Sequence, residues 1–164
     1  MQEIYSEVRI KIIPEMTLAQ YAVVSLSPEI DASVHMLRWA ERHSLAGEKG
    51  DGPRIIGWDF PFVSAEQRDV FGMRGYVAAC VLPAGFSADG EDAEIVKVAE
   101  NRYAYITVRQ PREDSLRRIP NSYKRIFEYI ERNGLKQAWD ARVSFEEEYA
   151  SDGQSYMDIH VPIE

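Results

Sequence analysis

Three consecutive glutamates, Glu146, Glu147 and Glu148, stand between Phe145 and Tyr149. In an extended strand successive side chains point to opposite faces. Phe145, Glu147 and Tyr149 then share one face, and Glu146 and Glu148 the other. A carboxylate held among rings is poorly solvated, and its pKa rises unless a cation or hydrogen bonds compensate. At about 4 Å and an effective dielectric near 20, an incoming cation gains roughly 4 kcal/mol from such a charge. The plain alternative is that Glu147 pairs with a Lys or Arg of its own chain or sits at a wet edge. A second group of rings lies in residues 55–63, where Trp58, Phe60 and Phe62 fall on one face and Asp59 and Pro61 on the other. Aromatic faces stack on flat rings and attract organic cations, at about 0.5–2 kcal/mol per contact. The same stripe also serves ordinary core packing. Trp39, Tyr103 and Trp139 join Trp58, Phe60, Phe145, Glu147 and Tyr149 as candidate ligand-binding residues, with Glu147 the candidate catalytic group if the protein is an enzyme.

Other chemistries find no residues to support them. There is no Walker loop, no dinucleotide fingerprint and no metal-spaced Cys/His cluster, and His35, His43 and His160 lack ligand spacing, so no cofactor or metal is expected. The single cysteine, Cys80, permits no internal disulfide and reads as a buried thiol in a reducing cytoplasm. A net charge of −8 and a pI near 5.0, without a local Lys/Arg run, argue against direct nucleic-acid binding. Neither a signal peptide nor a run of 18 apolar residues is read, so a soluble cytoplasmic protein without a membrane partner is expected.

The elements that position these residues read as two copies of one unit. Tyr21-Ala-Val-Val-Ser-Leu26 is echoed by Tyr103-Ala-Tyr-Ile-Thr-Val108, and Trp39-Ala-Glu-Arg-His-Ser-Leu45 by Tyr129-Ile-Glu-Arg-Asn-Gly-Leu135. Tyr76-Val-Ala-Ala-Cys-Val-Leu-Pro83 is echoed by Tyr156-Met-Asp-Ile-His-Val-Pro-Ile163. Each copy reads strand-helix-strand-strand. The expectation is an α+β fold of two pseudo-symmetric repeats, residues 1–83 and 93–164 joined by a polar link at 84–92, forming a grooved antiparallel sheet with helices on one side. Residues 8–26 supply the first strand, with a bend near Pro14 and Met16. Ser27 and Pro28 start a helix striped by Ile30, Val34 and Leu37. Ile119, Tyr123, Ile126 and Ile130 stripe the second helix, which closes at Asn133-Gly134. In the last strand Met157, Ile159, Val161 and Ile163 belong under the helix, leaving Tyr156, Asp158 and His160 on the opposite face. By the same pattern Val77, Ala79 and Val81 point inward in the first copy.

The duplicated unit, the helix end Tyr129-Ile-Glu-Arg-Asn-Gly-Leu135, the segment Phe145-Glu-Glu-Glu-Tyr149 and the ending Asp158-Ile-His-Val-Pro-Ile163 resemble the GyrI-like family, which includes effector-binding domains of AraC-type and multidrug-responsive regulators. The resemblance covers nearly the whole chain and is clearest from Tyr103 onward. It implies a groove between two sheets that takes hydrophobic, often cationic, planar compounds, with aromatic walls and a buried glutamate. The family's glutamate-any-tyrosine element matches Glu147-Glu148-Tyr149. The tract Gly57-Trp-Asp-Phe-Pro-Phe62 looks like that of stand-alone members, some of which hydrolyse cyclopropane-bearing genotoxins. Full regulators carry a helix-turn-helix domain, for which 164 residues leave no room, so a transcription factor acting alone is not expected. Three functions are open at this point: sequestration or sensing of a small aromatic, cationic ligand, hydrolysis in the same pocket, and docking on a protein such as gyrase.

Overall fold

The computed structural model describes residues 3–45, 52–87, 91–138 and 143–164. Among these, the chain runs β1 Arg9–Ile13, β2 Met16–Ser25, α1 Pro28–Arg42, β3 Ile55–Asp59, α2 Ala65–Asp69, β4 Arg74–Val81, β5 Glu94–Val98, β6 Asn101–Arg109, α3 Ser115–Arg132, β7 Phe145–Ser151 and β8 Gln154–Ile163. The fold is α+β and its strands pair antiparallel. It divides into two compact units. One is continuous, Met16–Val98; the other is split, Met1–Glu15 with Ala99–Glu164.

Each unit holds four strands and a long helix. In the split unit the strand order is β1-β6-β8-β7, and in the continuous unit it is β5-β2-β4-β3. The two orders correspond element by element, as a duplication requires. These compact units do not coincide with repeats at 1–83 and 93–164, because the leading strand of each repeat pairs in the other unit: β1 lies against β6, with Arg9 opposite Tyr105, and β5 lies against β2, with Ile95 opposite Ala19. The predicted long first strand is two strands. It breaks at Pro14-Glu15, where proline has no N–H to give to a ladder.

Periodicity reads the split unit correctly. Ala104, Ile106 and Val108 of β6 and Met157, Ile159, Val161 and Ile163 of β8 pack against Ile126 and Ile130 of α3, with Ile119 and Tyr123 at the margin. Each large aliphatic side chain so buried contributes about 1.5–3 kcal/mol. The helix ends as its Asn-Gly pair predicts: Gly134 takes a φ of +63°, and Leu135 N–H donates to Ile130 O at 2.9 Å.

In the continuous unit two expectations are overturned. Ile30, Val34 and Leu37 are exposed, and α1 buries Pro28, Ala32, Met36, Trp39 and Ala40. The sheet beneath presents Ala19, Ala78 and Cys80 together with Tyr76 and Leu82. In β4, Tyr76, Ala78, Cys80 and Leu82 face the helix, while Val77, Ala79 and Val81 face away. The Tyr76 ring fits there because β3 places Gly57 under it. The strand echoes are therefore one residue out of phase with the folded repeats, and a one-residue slip inverts every side chain. The helix echo keeps its phase: Leu45 N–H donates to Ala40 O as Leu135 does to Ile130, and Ser44 is left-handed as Gly134 is. Ser27 precedes α1, but its hydroxyl makes no capping bond. No described helix is long and apolar enough to cross a membrane.

Candidate functional site

In the split unit a two-residue turn sets the geometry. Asp152 and Gly153 both have positive φ, +51° and +74°, the conformation of the tight hairpin turn that Asp-Gly favours. That turn places Ser151 opposite Gln154 and fixes the β7–β8 register, so that Tyr149 lies opposite Tyr156, Glu147 opposite Asp158, and Phe145 opposite His160. These pairs occupy the face away from α3. Glu146 and Glu148 turn to the helix side. There Tyr123 Oη donates to Glu146 at 3.1 Å, and Arg112 pairs with Glu148 at 2.9 Å. Strand parity thus sets Glu146 and Glu148 on the helix side and Glu147 on the opposite face. Glu147 is half-buried.

The same face carries a band of stacked rings. The His160 imidazole is fully buried and lies parallel to Phe145 at 4.2 Å and to Tyr105 at 5.7 Å, with Tyr103 edge-on to Phe145 at 5.4 Å. Next along the face comes a polar cluster. Thr107 Oγ1 donates to Asp158 Oδ1 at 2.6 Å, and Tyr149 Oη donates to the same oxygen at 3.3 Å. Burial, then the negative charge and hydrogen bond of Asp158, and then the charge of Glu147, push the Tyr149 phenol up to about 12; a Thr107 hydrogen bond opposes the rise. Tyr149 therefore remains a protonated donor throughout the physiological range.

The sign of the linkage follows from that direction. Folding favours the neutral phenol, so the stability that depends on it is present below the unfolded value near 10 and is lost as pH rises toward 12. Denaturant titrations should show Tyr149→Phe losing less stability than the parent between pH 10 and pH 12. Superimposable pH profiles for the two proteins would refute the assignment.

Beyond this cluster a cavity of about 480 Å³ opens, lined by Ser6, Thr107, Arg109, Gln154 and Tyr156 among others, with Arg109 Nε donating to Gln154 Oε1.

The continuous unit has its own cavity, about 660 Å³, walled by Trp58, Phe60, Phe62, Ala22 and Val77 and edged by Glu94. Phe60 and Phe62 meet edge to face at 5.2 Å. Glu94 accepts a hydrogen bond from Gln20 at 3.1 Å. Rings with a carboxylate at the rim suit a flat cationic guest. Asp59, between Trp58 and Phe60, points to the other face near the Glu29–Arg74 ion pair. Burial first, and then Glu29, raise its pKa while Arg74 opposes, a perturbation that these structural neighbours account for. Burial pushes the Cys80 thiol up to about 11, which makes it a poor nucleophile at neutral pH.

No protein-family model matches the sequence, and no curated protein matches it either. Solved structures do match. The C-terminal domain of EcmrR superposes with a TM-score of 0.65 at 15% identity, covering 99% of each chain. EcmrR in its DNA complex matches over 98% of this chain at 12% identity and a TM-score of 0.65, and this chain spans only 58% of that one. SAV2435 bound to tetraphenylphosphonium matches at a TM-score of 0.56 and 10% identity, over 97% of this chain and 94% of its own. The chain has the GyrI-like fold. A hydrolase from Listeria innocua shares that fold, with a TM-score of 0.58 and 12% identity over 96% of this chain and 92% of its own.

Within this GyrI-like fold, Tyr103, Phe145, Glu147 and Tyr149 share one face of the split unit, and Trp58 and Phe60 line the cavity of the continuous one. Trp39 is a correction. It is fully buried between α1 and the sheet, stacks on His43 at 4.0 Å and donates its indole N–H to Glu91 O at 2.9 Å, so it packs the core and lines neither of the two cavities above. Trp139 lies outside the described residues. The GyrI-like face also holds Tyr105, Thr107, Asp158 and His160, which the sequence reading did not choose as site residues. The signal was present: Tyr105 follows Tyr103 at strand spacing, and the Asp152-Gly153 turn fixes Asp158 opposite Glu147.

Proposed function

We propose that this protein binds small aromatic organic cations, with Glu147 as the charge that selects them. One observation carries the reading: the hairpin register seats Glu147 on the face that also holds the His160–Phe145 stack and the Tyr149 phenol. A carboxylate beside rings attracts a delocalised cation and desolvates it little. SAV2435, of the same fold, is known with tetraphenylphosphonium bound, which supports that ligand class. The aromatic cavity of the continuous unit, with Trp58, Phe60 and Glu94, adds a second wall chemistry of the same kind.

Calorimetric titration with tetraphenylphosphonium and with neutral triphenylphosphine oxide tests the charge role. Glu147→Gln is expected to weaken the cation about ten- to a hundredfold, since desolvation offsets part of the Coulomb gain, and to leave the neutral compound within about twofold. Equal losses for both compounds would remove Glu147 from the recognition role.

A hydrolytic reading on the same residues is favoured by the pairing of Glu147 with a phenol that stays protonated. Glutamate as general base toward water and Tyr149 as donor to an opening ring would suffice for a strained cyclopropane substrate. The Listeria innocua hydrolase of the same fold supports this second reading. Mass spectrometry of a cyclopropanoid incubated with the protein separates the two: turnover abolished in Glu147→Gln establishes the enzyme, and stoichiometric binding without product establishes the binder.

A further inference from the structure

The two long helices bury matching positions of the repeat: Ala32, Met36 and Ala40 on α1, and Ser122, Ile126 and Ile130 on α3. Their outer faces can therefore be compared residue by residue. Ile30 of α1 is answered on α3 by Pro120, and Val34 by Lys124, which pairs with Glu128 at 3.8 Å. Leu37 is answered by Phe127, which stacks on Tyr123 of its own helix. On α1, Ile30, Val34 and Leu37 follow one another at spacings of four and three, as along the seam of paired helices. They are 65%, 39% and 42% exposed, and Leu26, just before the helix, is 66% exposed. The fold does not require an apolar outer face, since the second copy places an ion pair there. Contiguous exposed aliphatic side chains mark a contact surface.

Charge indicates what covers this surface. At about 100° per residue, Asp31 and Arg38 fall on one flank of the stripe, two turns apart, and Ser33 falls on the other. Both charged side chains are exposed. Asp31 accepts a hydrogen bond from Ser25 at 2.5 Å, and Arg38 makes no ion pair or hydrogen bond among the described residues. We infer that α1 packs against α1 of a second copy of this chain, antiparallel, across a twofold axis. A twofold axis makes every contact twice, so the surface must complement itself. Antiparallel pairing keeps the charged flanks on the same side, sets Val34 against Leu37 of the second copy, and brings Asp31 to Arg38 of that copy. A parallel pair would put the two flanks on opposite sides and leave both charges unmatched. This inference is independent of the ligand-binding reading.

Sedimentation velocity on the full chain at low salt tests the pairing. A monomer–dimer equilibrium is expected, with a dissociation constant on the order of 10 micromolar, because so short a seam buries less than a standard interface. Val34→Lys, which copies the residue of α3, should weaken the dimer at least about tenfold while the circular dichroism and melting temperature hold. Asp31→Arg and Arg38→Asp each oppose like charges twice across the axis, so each alone should lose about tenfold. Mixed in equal amounts, these two variants join opposite charges at both contacts, and the mixture should return to within about threefold of the parent. A parent that stays monomeric at about 500 micromolar removes the second copy as the occupant and overturns the inference. A dimer that Val34→Lys does not loosen uses another surface, which overturns it equally. Loss in Val34→Lys without recovery in the mixture overturns the antiparallel arrangement.

Discussion

Trp39→Ala is expected to lower the unfolding free energy by about 3–5 kcal/mol. The side chain is completely buried between α1 and the sheet, stacked on His43 and bonded through its indole N–H to Glu91 O. Truncation removes the largest side chain from a core in which Ala19, Ala32, Ala40, Ala78 and Cys80 stand beside Met36, Tyr76 and Leu82, and the alanines have no atoms with which to fill the space. Domains of this size are stable by about 5–15 kcal/mol, so the variant should populate unfolded chains on mild heating. Urea denaturation followed by circular dichroism gives the measure, and a loss below about 1 kcal/mol would contradict the packing. Trp39→Phe keeps a ring but removes the donor. It should cost less and leave tetraphenylphosphonium affinity unchanged, as a residue of the core and not of a ligand wall must.

Gly57→Ala should cost about 2–3 kcal/mol although it adds one methyl group. A Cβ at that position would sit 2.1 Å from Tyr76 Oη and 2.5 Å from two of its ring carbons. Tyr76 is only 8% exposed, so the ring has no open side to which it can swing. The diagnostic is a double-mutant cycle. Tyr76→Leu removes the obstruction, so in the Gly57→Ala background it should cost markedly less than in the parent, or stabilise. Strict additivity of the two changes would show that ring and methyl do not collide.

Where one face of an element is apolar and the other polar, the sequence was sufficient. β8 alternates Met157, Ile159, Val161 and Ile163 with polar neighbours, and α3 repeats isoleucines at helical spacing; both were legible. β4 was not, because Tyr76 to Cys80 are all buried and periodicity cannot choose between two apolar faces. The stripe of α1 was misread for a related reason. Ile30, Val34 and Leu37 weigh heavily on any hydrophobic scale, but the sheet below leaves room only for a helix face that includes alanines. In the site, the parity of Phe145, Glu147 and Tyr149 was visible, since three acids between rings leave few alternatives. The partners that complete it, Tyr105, Asp158 and His160, depend on which residues of other strands lie opposite. Register is a property of turns and pairings, and a single strand does not display it.

The exchange of leading strands also governs how the chain can mature on a ribosome. β1 emerges first, yet its partner β6 follows on the order of a hundred residues later, and β2 waits through α1, β3 and β4 for β5. The continuous unit, Met16–Val98, can close its sheet once β5 has left the exit tunnel, but the split unit cannot close until β6, β7 and β8 have followed. β1 therefore waits without its partner strand while the whole continuous unit is made, and the split unit closes after the continuous one.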